Sequence, residues 1–270
     1  GWILAGLAIS FLFKWDSIEN ISNGMLSNTF IMVALASLVL GVFSFTLPKT
    51  PPSVAKGDNV TIKDILGLDA LKLLNDRNFL VFFISSVLIC IPLAFYYQNI
   101  SPFLTEYQVE NSTAWASLGQ ISEVAFMLLL PFFFKKFGFK KTILFGMLAW
   151  VVRYLLFSYG NNGDLFFMII TGIALHGICY DFFFVSGQIY TDSKAGEKVK
   201  SAAQGLITLA TYGVGMLVGF WIAGKIVDKN LLAGGSHGWQ DIWIFPAVFA
   251  VVVMLIFALL FKNEKVEYKS

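Results

Sequence analysis

Long apolar runs dominate this chain and leave it few ways to fold. Stretches almost free of charge occupy residues 27–47, 79–99, 114–134, 142–159, 165–190, 201–226 and 242–261, with a shorter one at 1–13. A run of about twenty apolar residues, coiled into a helix, matches the hydrocarbon thickness of a bilayer. Lipid offers the backbone no partner, so a spanning segment must satisfy its own amides, and these runs lack the in-out alternation of barrel strands. Helices are therefore expected throughout. The 1–13 run is too short to cross and has neither the charged flank nor the small-residue cleavage site of a signal peptide. It is read as the remainder of a helix whose beginning is missing. The fold class that follows is an all-α membrane protein with about eight transmembrane helices present, the first truncated.

Composition agrees with this reading and narrows the function classes. Of the 270 residues 57% are hydrophobic and only 13% charged, too apolar for the surface of a soluble domain of this size. No basic stripe with interleaved aromatics is present, so nucleic acid is not an expected partner. Cys90 and Cys179 both lie inside apolar runs, which leaves neither a disulfide framework nor a Cys-rich metal site. No phosphate loop, dinucleotide fingerprint or His-Glu-x-x-His occurs, and no cofactor or metal is expected.

The placement of Lys and Arg gives an orientation. Lys49, Lys56, Lys63, Lys72 and Arg77 lie in the 48–78 loop, Lys135, Lys136, Lys140 and Lys141 in the next loop on that side, then Lys194, Lys198 and Lys200, then Lys262, Lys265 and Lys269. Lys14, Lys225 and Lys229 alone lie on the opposite side. Positive loops stay inside, so the 48–78 loop and the C-terminus are expected in the cytoplasm.

That loop also suggests a domain plan. It opens with Pro48-Lys49-Thr50-Pro51-Pro52 and continues with Ile62, Ile65, Leu66, Leu71 and Leu74 among charged residues, the pattern of a helix lying along the membrane surface. Transporters are commonly built from two halves. On that plan 1–47 would be the last two helices of an N-terminal half, 48–78 a cytoplasmic linker with an amphipathic helix, 79–262 a six-helix C-terminal half and 263–270 a cytoplasmic tail. About four helices would then precede this chain.

Three ionisable side chains break the apolar pattern: Glu123, Arg153 and Asp181. A charge at membrane depth costs about 2.5 kcal/mol or more, so such residues are usually kept where they pair, bind or move protons. Gln120 and Glu123 are three apart and share a helix face. His176, Tyr180 and Phe184 recur every four residues, with Asp181 beside them, so both stripes can line one cavity. Two carboxylates sharing one arginine leave a carboxylate able to take up protons near neutrality. Tyr96, Tyr97, Gln98 and Asn99 end the first helix after the long loop, where an aromatic and polar cluster is either an interfacial belt or part of a ligand site. Gly215 and Gly219 have the spacing of a close helix contact.

An ordered set of short motifs carries a resemblance. Gln120-Ile121-Ser122-Glu123, Pro131-Phe132-Phe133, Gly138, Ala149-Trp150 with Arg153, Tyr159-Gly160, Gly177, Asp181-Phe182-Phe183, Ser186-Gly187 and Ser201-Ala202-Ala203-Gln204-Gly205 together resemble the nucleoside:proton symporter family of the major facilitator superfamily. The resemblance implies a twelve-helix fold of which this chain holds the fifth helix onward. It also implies proton-coupled nucleoside uptake across a bacterial inner membrane, with the proton as coupling ion and no cofactor, in a protein expected to be a monomer surrounded by lipid.

By the same likeness Gln120 and Glu123 match a polar pair that contacts the nucleoside, Asp181 a membrane-embedded acid of binding or coupling, and Tyr180 an aromatic that packs on the ligand. Asn99 matches a family amide, while His176 departs from the pattern, since a tyrosine is expected there. Substrate binding is thus expected at Gln120, Glu123, Asp181, Tyr180, His176, Phe184, Asn99, Gln98 and Tyr96, and proton coupling at Glu123, Asp181 and Arg153. Other classes remain open at this point. A sugar or oligosaccharide:proton symporter would use similar residues, an intramembrane metal-dependent hydrolase would use Glu123, His176 and Asp181 as ligands, and a receptor or scaffold would need none of them.

Overall fold

The structure is a computed structural model and describes residues 1–50 and 67–264. The Ile62, Ile65 and Leu66 part of the expected surface helix lies outside the described residues; Leu71 and Leu74 fall in a 3-10 helix, Leu68–Asn75. Membrane-length or apolar helices run Trp2–Leu12 (α1), Met25–Ser44 (α2) and Arg77–Glu106 (α3), then through Ser112–Tyr159, and on to Phe166–Glu197 (α6), Val199–Lys229 (α7) and Trp239–Leu260 (α8). The Ser112–Tyr159 rod is two helices, because Gly138 takes φ 74° and ψ 172°, a conformation open to glycine and strained for any side chain. Its limbs, 112–137 (α4) and 139–159 (α5), are the two apolar runs the sequence separates by Lys135, Lys136, Lys140 and Lys141. Gly196, at φ 66°, makes the corresponding turn between α6 and α7.

Helices α3 to α8 pack as one bundle around aromatic side chains. Near the lysine-rich end Phe82, Phe139 and Tyr190 form a knot, with Phe139 and Tyr190 stacked at 4.5 Å between ring centres. Toward the other end Tyr154 and Trp243 stack at 5.7 Å, and Phe103 meets Trp243 edge-on at 5.4 Å. The Tyr154 hydroxyl donates to the carbonyl of Pro92, tying α5 to α3. Helix α7 lies close on α3, since a Cβ at Gly215 would stand 2.8 Å from the Cys90 Cβ and one at Gly219 2.7 Å from the Ala94 Cβ. The Gly215 and Gly219 spacing thus marks a helix seam.

A clasp closes the lysine-rich end of the bundle. The Asn78 side chain exchanges two hydrogen bonds with the backbone of Lys262, and Lys140 Nζ donates to the Ala258 and Phe261 carbonyls at 2.8 and 2.6 Å. A cation at the C-terminal end of α8 also complements that helix's dipole. Lys194 bridges Asp76 at 2.9 Å and Glu264 at 2.8 Å.

Residues 1–47 meet this bundle chiefly through α1. One face of α1, Gly6, Ile9 and Ser10, is buried and rests on α4, whereas no residue of Asn28–Ser44 is buried at all.

Candidate functional site

The site begins with a close crossing of α4 and α6. Helix α6 is irregular here: its first helical stretch stops at Ala174, a new one runs His176–Tyr180, and a π-helical turn follows over Asp181–Val185. At the break the Gly177 amide donates to Ser122 Oγ on α4 at 2.8 Å, and Ser122 Oγ donates in turn to the Gly119 carbonyl at 3.0 Å. Gly177 has no room for a side chain, since a Cβ there would lie 2.4 Å from the Ser122 carbonyl carbon. Gly119 gives the His176 ring its seat, with 3.2 Å between its would-be Cβ and that of His176. Gly119 and Glu123 are one turn apart on α4, so the helix face that receives His176 also carries the carboxylate.

A chain of three ionisable groups results. Arg153, on α5 and fully buried, places Nη1 2.7 Å from His176 Nδ1. His176 Nε2 lies 2.8 Å from Glu123 Oε1, close enough to pair but poorly aligned for a hydrogen bond. A guanidinium can only donate, so Nδ1 must be the acceptor and the ring proton sits on Nε2, facing Glu123. The guanidinium also rests on the face of Tyr96, 3.5 Å from the ring centre, a cation-π contact that helps hold a charge in a dry interior. Tyr96 stacks in turn on His176 at 5.1 Å. Glu123 alone of the three groups reaches open space, with 24% of its side chain exposed.

This arrangement corrects one expectation. The two carboxylates do not share Arg153: among the described residues no carboxylate pairs directly with it, and His176 stands between it and Glu123. The reason is reach, because the histidine on the neighbouring helix occupies the space beside the guanidinium. Asp181 is fully buried, with neither carboxylate oxygen hydrogen-bonded, and it lies within electrostatic range of Glu123.

Beside the charge chain lies an aromatic wall. His176, Tyr180 and Phe184 follow one another at 5.9 and 5.3 Å, so the four-residue stripe survives the π turn. The Tyr180 hydroxyl meets that of Tyr212 on α7 at 2.7 Å, and Tyr97 stands edge-on to His176 at 6.3 Å. Both Tyr97 and Tyr212 are exposed. Tyr212 sits in a second π-helical turn at the site, Leu209–Gly215, and Phe184 of the first lies 6.2 Å from it between ring centres. Sequence reasoning missed Tyr212; a polar-tipped aromatic between Thr211 and Gly213 in an apolar run was its only mark.

The remaining expected residues are less closely joined. Gln120 is half-buried on α4, one turn before Glu123. Asn99 is buried with Nδ2 unpartnered, and Gln98 Nε2 points to the α7 seam, 3.8 Å from where a Gly224 Cβ would stand. Among the described residues no hydrogen bond or ion pair links these three side chains to the charge chain, and no group of three or more His, Cys, Asp and Glu could hold a metal ion.

A bundle of membrane-length helices with a buried cation, two acids and an aromatic wall in its interior has the architecture of a major facilitator transporter. The chain belongs to the nucleoside H+ symporter family, whose model matches residues 1–266. It is 43% identical over 272 aligned positions to YegT of Escherichia coli strain K12, covering 98% of this chain and 63% of YegT. The xanthosine permease of the same organism is 30% identical over 87% of this chain and 59% of its own length. The nucleoside permease NupG of that organism is 29% identical over 86% and 58%. The crystal structure of nucleoside transporter NupG superposes with a TM-score of 0.72 at 27% identity, covering 97% of this chain and 65% of NupG; a point mutant of it gives 0.76 at 26%, covering 96% and 65%. The chain thus spans less than two thirds of each of these relatives.

Proposed function

We propose that this chain carries the C-terminal six-helix half, the linker and the last two N-terminal helices of a proton-coupled nucleoside transporter. Uptake proceeds by alternating access, with the solute held near the bilayer midplane and the proton as coupling ion. The observation that carries this reading is the Arg153, His176 and Glu123 chain opening onto an aromatic wall, in a member of the nucleoside H+ symporter family.

Residue chemistry supports the roles. Ribose hydroxyls suit the Glu123 carboxylate and the Gln120 amide, and a flat base can stack on Tyr180 or Phe184. Tyr96, Gln98 and Asn99 line the helix that backs the site, with Tyr96 holding Arg153 and His176 in place. Glu123 is charge-balanced through His176, whereas Asp181 has no partner, so the two acids meet a proton in different settings. Neutralising one removes a buried charge and biases the protein between its two openings.

The excess of Lys and Arg on one side supports a cytoplasmic linker and C-terminus; on the same reading the protein works as a monomer in a bacterial inner membrane. The permeases among the relatives are named for transport, and nothing in the site favours a hydrolase.

The test is uptake of radiolabelled uridine and adenosine by the full-length protein, with and without a proton gradient, beside Glu123→Gln and Asp181→Asn. Gradient-driven uptake that either substitution abolishes or renders insensitive to pH supports the reading. Uptake unaltered by both refutes the site, and competition by disaccharides instead of nucleosides refutes the substrate.

A further inference from the structure

Ser10 and Asp16 cap a helix to which they do not belong. Ser10 Oγ donates to Asp16 Oδ2 at 2.6 Å; the same Asp16 oxygen accepts the Thr113 amide at 2.9 Å, and Ser10 Oγ accepts the Ala114 amide at 2.9 Å. Both side chains are buried, at 1% exposure, although each lies some hundred residues from its partner in the chain. The first amides of a helix have no acceptor within it. Helix α4 does not meet that need itself, because its N-cap residue Asn111 sits at φ 56° and makes no side-chain bond to the first turn. Ser10 of α1 and Asp16 of the segment after it supply the cap instead, and the Asp16 carboxylate faces the positive end of the α4 dipole.

The cap sits at one end of a seam. One turn further along α4 the helices nearly touch, since a Cβ at Gly6 would fall 1.9 Å from Ser117 Oγ. Beyond that point the α4 face bearing Gln120 and Glu123 is only half-buried. The lysine pair Lys135 and Lys136 lies at the far end of α4. No residue of Asn28–Ser44 is buried, and among the described residues this contact is the main polar anchor of residues 1–47 to the bundle.

We propose that the Ser10 and Asp16 cap is a latch between the two halves of the transporter: it closes the end of the solute path opposite the lysine-rich loops and unclasps in each cycle. This rests on the alternating-access reading given above. The bonds are those of one helix cap, and water can replace them when the seam opens. The latch therefore biases the equilibrium without locking it.

The experiment uses the full-length transporter in membrane vesicles. The pair Ser10→Cys with Ala114→Cys, oxidised to a cross-link verified by mass, is expected to lower nucleoside uptake at least tenfold, with recovery on reduction. Undiminished uptake through the cross-linked protein would overturn the latch. In a second arm Ser117→Cys reports seam opening through its labelling rate with a membrane-impermeant maleimide. Asp16→Ala or Ser10→Ala should raise that rate by roughly threefold to thirtyfold, the span of one cap; an unchanged rate in both overturns the proposal. Should Asp16→Ala fail to fold, Ser10→Ala, which removes a single hydroxyl, carries the comparison. If the unmodified transporter takes up no nucleoside, the transport reading fails, while the labelling arm still decides the latch.

Discussion

Arg153 and His176 share a buried hydrogen bond, Nη1 to Nδ1 at 2.7 Å, and it fixes which nitrogen of the imidazole carries the proton. The ring is thereby held neutral with its N–H toward Glu123. A glutamine at this position can copy both contacts, its carbonyl accepting from Arg153 and its amide lying toward Glu123. His176→Gln is therefore expected to retain most uptake. His176→Phe keeps the ring's stacking on Tyr96 but leaves Arg153 and Glu123 without the bridge. At about 1–3 kcal/mol for the buried guanidinium left unpaired, it should lower uptake tenfold or more and depress the melting temperature by several degrees. Uptake assays and thermal melts of the two variants check this; uptake kept in His176→Phe and lost in His176→Gln would show that the ring matters only for its shape.

Tyr212 gives a second test, because its hydroxyl reaches Tyr180 and nothing else in the wall needs it. Tyr212→Phe keeps the ring and removes one hydrogen bond, worth about 0.5–1.5 kcal/mol. Tyr180 is then free to leave the position in which, on the function proposed above, it packs on the solute. The expected outcome is a rise of roughly twofold to tenfold in KM for nucleoside, with maximal uptake nearly unchanged, read from concentration-dependent uptake.

The helix count was legible in the sequence because bilayer thickness sets a length that apolar runs either meet or miss. The turn between α4 and α5 was legible from four lysines around Gly138, whose φ of 74° and ψ of 172° break the helix there. The polar residues at depth were legible for the same energetic reason, and Glu123, Arg153, His176 and Tyr180 do come together. Their pairing was not. Opposite charges suggested a direct bond from Arg153 to the acids, but which neighbour lies nearest depends on where α6 breaks, and that break follows from Gly177 against Ser122 on another helix. The cap on α4 was hidden likewise, since neither Ser10 nor Asp16 shows in its own segment that it serves Thr113 and Ala114.

Gly177 should tolerate no side chain. With 2.4 Å between a Cβ and the Ser122 carbonyl carbon, Gly177→Ala must push α4 and α6 apart. Overpacking of this kind costs about 1–3 kcal/mol, and here it also pulls His176 away from Glu123. Gly205 provides the opposite sign, since it is helical and nothing would stand within 4 Å of its Cβ. Gly205→Ala should stabilise by about 0.4–1 kcal/mol through the unfolded chain. Melting temperatures in detergent should fall for the first variant and rise for the second.

Asp76 links stability to pH at the lysine-rich end. Burial pushes its carboxyl up, but the Phe79 amide it accepts and the Lys194 ammonium beside it outweigh burial and hold it below its ordinary value of 3.8. A carboxyl lowered on folding contributes stability that is present above the unfolded value and lost as pH falls through the folded one. The affected window is therefore acidic, below about pH 4. Lys194 and Glu264 face the group from α6 and from the segment after α8, and Lys194 joins them. Asp76→Asn can still accept from the Phe79 amide as an N-cap but loses the charge. Its melting temperature should lie below that of the unmodified protein at neutral pH and converge with it as pH is lowered toward 3. Asp76→Ala loses the cap as well, about 1 kcal/mol, and should stay lower at every pH. A constant gap between the unmodified protein and Asp76→Asn across the acidic range would show that the Lys194 clasp contributes nothing.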